Sequence, residues 1–147
     1  VSLFWFGLVA GRLGFPILLP RARTDRLLVV LALLFAVSVG LMLAAGIAGK
    51  TALPLGLVAV ALSGLGASCV YPSGMTLVGA AFPEGKALAL GFASTGGGVG
   101  AFAFPFAMAA ISSGAGLVAG FGFYALLTIL AAAAAFGLAA VSRRPAS

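Results

Sequence analysis

The chain has 147 residues, 63% of them hydrophobic and 7% charged, with a net charge of +6. Soluble domains carry about 25% charged residues, so this composition excludes a water-covered surface. The lipid bilayer is then the outer solvent, and the expectation is an all-α membrane protein, a polytopic helical bundle. The alternative, a closed barrel, needs segments of about ten residues with alternating polarity, and runs such as Leu27–Val37 and Ala131–Ala135 do not alternate.

Val1–Gly11 is apolar and opens without a start methionine or a basic leader. Residues 1–19 are expected to be the truncated tail of a spanning helix, which makes the chain a fragment of a larger protein. Four further runs contain no charged side chain: Leu27–Gly49, Thr51–Pro83, Ala87–Ser113 and Leu117–Ser142. About 20 apolar helical residues cross a hydrocarbon core about 30 Å thick. The reading is therefore one bundle over residues 1–147, with one truncated helix and four full transmembrane helices at 27–48, 53–81, 87–111 and 117–141.

Loops rich in Pro and Gly separate the runs: Pro20–Arg26, Gly49–Thr51, Phe82–Lys86 and Ser112–Gly116. Such short connections make successive helices antiparallel, so consecutive loops alternate sides. Arg21, Arg23, Arg26, Lys86, Arg143 and Arg144 then share one face, and Lys50 stands alone on the other. The positive-inside rule makes the first face cytoplasmic, with the C-terminus. The positive charge is therefore an orientation signal and carries no implication of nucleic acid. Arg12 reads in two ways. If the first helix ends near Gly14, before Pro16, Arg12 lies at the interface. If the helix reaches Leu19, Arg12 is about 10 Å inside and must snorkel or pair.

Two irregularities interrupt the runs. Pro72 removes a backbone hydrogen bond in mid-helix, and Tyr71, Ser73 and Thr76 cluster around it. This is either a packing kink, with hydroxyls bonded back to the helix, or a hinge beside a hydroxyl-lined substrate wall. Ser94 and Thr95 precede Gly96, Gly97, Gly98 and Gly100, and Pro105 follows. Gly96 and Gly100 have the small-xxx-small spacing that lets helix backbones approach closely. The same glycines also loosen the helix, which suits a hinge. Gly7 with Gly11 and Gly116 with Gly120 repeat the spacing.

Groups for chemistry are scarce. There is no His, the only carboxylates are Asp25 and Glu84 in loops, and the single Cys69 lies in an apolar run. A metal site needs a cluster of His, Cys or carboxylates, and a nucleophile needs a base beside it. The sequence therefore points away from an enzyme and implies no metal or cofactor.

Gly11-Arg12-Leu13-Gly14, the basic loop Arg21–Arg26, the Gly64–Ser68 and Tyr71-Pro72 stretch and the glycine-rich helix together resemble the major facilitator superfamily. The chain is similar to its C-terminal half, from the end of the eighth helix through the twelfth. The family's loop signature is degenerate here: Leu18 and Leu19 stand where Asp and Arg are expected. The resemblance implies a twelve-helix transporter in a bacterial cytoplasmic (inner) membrane that moves a small solute by alternating access. The missing N-terminal half would then be a partner. Tyr71, Ser73 and Thr76 would line the cavity, with Ser94 and Thr95 beside it. The absence of embedded acids and bases favours a neutral, hydroxyl-rich or hydrophobic substrate. A non-transporting membrane scaffold or assembly subunit is the competing reading.

Overall fold

The computed structural model describes residues 1–19 and 21–142; Pro20 and the basic tail at Arg143 and Arg144 lie outside the described residues. Every element among them is helical: α1 (Ser2–Leu18), α2 (Thr24–Ala48), a 3₁₀ turn (Gly49–Ala52), α3 (Leu53–Ala67), α4 (Val70–Ala81), α5 (Lys86–Ala115) and α6 (Leu117–Val141). Three helical stretches are long and apolar enough to cross a membrane: Thr24–Ala81, Lys86–Ala115 and Leu117–Val141. The first has 58 residues, nearly three times the span of a bilayer, and it folds back on itself. Gly56 meets Ala45 and Gly66 meets Phe35, the pairing of two antiparallel arms, α2 and α3.

Both tight reversals use glycine in the left-handed region, Gly49 at φ 78° and Gly116 at φ 87°, where a Cβ would be strained. At Gly116 the turn is a single residue, because α5 continues to Ala115 and absorbs the expected loop at 112–115. The Gly116 amide donates to the Ser112 carbonyl at 3.0 Å, which closes α5 and leaves α6 free to start at once.

The interior is built from small side chains. Ala59, Ala132, Ala135, Ala139, Ser38 and Ser63 are buried, whereas Phe6, Phe92, Phe102, Phe106 and Leu130 point outward. A lipid-exposed bundle has this distribution, because large apolar groups gain nothing by leaving hydrocarbon while small ones let backbones approach. The alanine run of α6 forms a seam in which Ala132 and Ala135 pack with Leu28, Ala32 and Leu77. The buried hydroxyls bond back to their own helices: Ser38 to Leu34 O at 2.6 Å, Ser63 to Val60 O at 2.8 Å and Thr128 to Ala125 O at 2.8 Å.

The closest backbone approach joins α1 to α3, which run parallel. A Cβ at Gly7 would overlap the Ala61 carbonyl, one at Gly64 the Phe4 carbonyl, and one at Gly11 the Ser68 hydroxyl. Gly120 makes a similar contact with Ser112 and Met108 across the α5–α6 hairpin. The packing expected at Gly96–Gly100 is not made among the described residues. Nothing lies within 4 Å of a Cβ at Gly96 or Gly98, Gly97 faces only the Tyr71 ring at 3.6 Å, and Gly100 meets Phe104 of its own helix. Four-residue spacing makes a close approach possible but does not supply the partner. Here the glycines and Pro105 border a cleft of about 500 Å³ among α4, α5 and α6.

The expected result of Gly64→Val is a loss of about 1–3 kcal/mol from overpacking against α1, whereas Gly98→Ala leaves stability unchanged or slightly higher. Thermal unfolding of the two variants in detergent measures the difference. Equal behaviour of the two would contradict the α1–α3 contact.

Candidate functional site

The predicted third helix, 53–81, is two helices with a break at Ser68–Cys69. The break falls one turn before Pro72 because that is where the proline acts. In an unbroken helix the amide of residue 72 would bond the carbonyl of residue 68. Proline has no such amide, and its ring crowds the preceding turn. The chain therefore ends α3 at Ala67 and restarts α4 at Val70. Pro72 then occupies the first turn of α4, where a missing N–H breaks no bond within that helix. The Ser73 amide reaches back to Cys69 O at 3.0 Å, and the Ser68 hydroxyl donates to Leu65 O at 2.7 Å.

This leaves the Ser68 carbonyl without its helical donor at the middle of a long apolar stretch. An unsatisfied backbone group in hydrocarbon costs several kcal/mol. Arg12 supplies the donor: its Nε–H donates to Ser68 O at 3.2 Å. Helix α1 continues through Pro16 to Leu18, so Arg12 lies within the helix, about 9 Å from its end at 1.5 Å per residue. Of the two helix ends considered for α1, the structure has the longer one, and the exposed Arg12 is bonded to backbone. Gly11 sits against Ser68, which brings α1 close enough for the neighbouring side chain to reach.

A cavity of about 570 Å³ opens at the break, bounded by Arg12, Phe15, Thr24, Tyr71, Ser73 and Thr76 among others. Three of the five expected substrate-wall residues thus meet in one place, and Arg12 joins them. Ser73 is 6% exposed, and its hydroxyl hydrogen-bonds no described residue. The Thr76 hydroxyl donates to Pro72 O at 2.9 Å, so its lone pairs remain open. Tyr71 is exposed, and its hydroxyl lies 3.4 Å from the Ser94 hydroxyl on α5, a long contact for an O–H donor. Ser94 therefore flanks the site, while Thr95 is exposed on α5 and outside the cavity. Arg21, Arg23 and Arg26 are exposed near the start of α2. Arg23 pairs with the buried Asp25 at 3.2 Å. Arg26 lies beside Phe136 and Ala139 of α6.

A second cavity, about 500 Å³, lies at the opposite end of α2, beside Lys50 and Phe121. Its other bounding residues, from Met42 to Val60, are apolar or glycine. Lys50 is the one polar side chain on its wall. Among the described residues no three His, Cys, Asp or Glu side chains come together.

Comparison with family models, curated proteins and solved structures finds no match of any kind.

Pro72→Ala is expected to return the amide of residue 72 to the helix and join α3 to α4. Hydrogen exchange measures this: the amide of residue 72 becomes strongly protected. An amide that exchanges as fast as one in an exposed turn would contradict the orphaned-carbonyl explanation.

Proposed function

We propose that the chain forms part of a secondary transporter of the major facilitator type, moving a small solute by alternating access. The observation that carries the reading is the broken helix. Transporters of this kind bind substrate near the midplane, at discontinuous helices whose freed backbone groups line a cavity. Here the α3–α4 break frees the buried Ser68 carbonyl, which Arg12 takes up, next to a cavity bounded by Arg12, Cys69, Tyr71, Ser73 and Thr76. The loose attachment of α5 also supports it. The most apolar window of that helix is 0% buried within the chain, and its glycine face meets little but open space. A helix held this way can shift against its neighbours at small cost.

In this reading Lys50 marks the outer side of the membrane, and Arg21, Arg23, Arg26 and Lys86 mark the cytoplasmic side. Four full passes and part of a fifth then belong to the C-terminal half of a twelve-helix protein. The cell inner membrane is its site. Its partners are the N-terminal half, the lipid bilayer and the solute.

The test is uptake by cells expressing the complete gene product. Tyr71→Phe removes one long, exposed hydroxyl contact, so stability is expected to change by less than about 0.5 kcal/mol. Uptake is expected to fall in Tyr71→Phe and in Ser73→Ala at matched membrane expression. Full uptake in both variants would exclude them from the substrate wall. A protein that accumulates normally but moves none of a panel of sugars, acids and drugs would favour the scaffold reading.

A further inference from the structure

We infer that the cavity at the α3–α4 break is an oxyanion site, which takes the carboxylate or phosphate group of a small solute on Arg12 and Ser73. The inference rests on the transport reading for its biological role but not for its chemistry. Arg12 brings a guanidinium to the cavity wall. Its Nε is committed to Ser68 O, and its terminal nitrogens hydrogen-bond no described residue. The guanidinium fork therefore retains the edge that matches an oxyanion in two parallel bonds. No carboxylate borders the cavity. Of the two in the whole chain, Asp25 is held by Arg23 and Glu84 is in the loop after α4. The cavity thus presents one exposed cationic side chain and no carboxylate on its wall.

Ser73 is a second, independent indication. Its hydroxyl is on the wall of the same cavity, the residue is 6% exposed, and no described residue accepts its proton. Among the described residues the hydroxyls of Ser38, Ser63, Ser68 and Thr128 bond back to their own helix, whereas that of Ser112, in the α5–α6 hairpin, has no partner either. A ligand oxygen would accept the Ser73 proton. Thr76, one turn further along α4, keeps two lone pairs for a hydroxyl on the same solute. The sequence favoured a neutral substrate because its apolar runs hold no charge; with Arg12 in the cavity wall the preference reverses.

Equilibrium dialysis of the protein in phosphatidylcholine nanodiscs against radiolabelled benzoate, inorganic phosphate and glucose tests the inference. Saturable binding of benzoate or phosphate is expected, with glucose unbound. Arg12→Gln is expected to weaken the anion about tenfold or more, since losing a charged hydrogen-bonding partner is worth at least one decade in affinity. Ser73→Ala is expected to weaken it several-fold, and Arg12→Lys to retain part of the affinity, which separates lost charge from lost folding. Saturable glucose binding without anion binding, no binding of either anion, or anion binding undiminished in Arg12→Gln would each overturn the inference. Repeating the titration with phosphatidylglycerol in the discs identifies the source of the oxyanion. Displacement of both anions by that lipid would overturn the solute assignment in favour of a headgroup. Anion binding without uptake would instead overturn the transport reading and leave the site standing.

Discussion

One hydrogen bond organises this bundle, from the Arg12 guanidinium to the Ser68 carbonyl, across 56 residues of sequence. It exists because Pro72 has no amide. A proline in the middle of an apolar helix leaves a carbonyl that lipid cannot satisfy, and an arginine in an apolar helix is a charge that lipid cannot solvate. Each defect alone costs on the order of 2–4 kcal/mol. Placed together, each supplies what the other lacks. The pairing also fixes geometry, because the charge is held at the level of the break.

The close packing of α1 on α3 serves the same contact. Gly7, Gly11 and Gly64 bring the two backbones together over two turns, and Gly11 seats directly against Ser68. A larger residue at these positions would push α1 outward and withdraw the guanidinium from its carbonyl. The opposite side of the molecule is built differently. There α5 leaves its glycines beside an open cleft, and the small residues confer freedom to move. The chain thus combines a tightly seated pair, α1 and α3, with a loosely seated helix, α5, on either side of the central α2–α6 seam.

Much of this was legible in the residues. The four charge-free runs correspond to helices, one of them broken into α3 and α4, and Gly49 and Gly116 mark two reversals because only glycine takes a positive φ without strain. Gly7 and Gly11 announced the α1–α3 contact by their spacing. The glycines at 96–100 carried the same spacing without a partner, because periodicity describes one helix face and says nothing about what stands opposite. The break was expected at Pro72 and lies at Ser68–Cys69, one turn earlier, since the proline's effect falls on the carbonyl four residues before it. That rule also held the missing clue to Arg12. The partner of Arg12 is backbone, and Pro72 identifies which carbonyl stands orphaned.

A double-mutant cycle on Arg12→Gln and Pro72→Ala tests the central claim most directly, with unfolding free energy in detergent as the readout. In the Pro72→Ala background the helix supplies its own donor to Ser68, so the Arg12 contact becomes redundant. The account predicts that Arg12→Gln is more destabilising by about 1–3 kcal/mol in the parent than in that background, a coupling expected only of groups that share a partner. The same effect of Arg12→Gln in both backgrounds would contradict it.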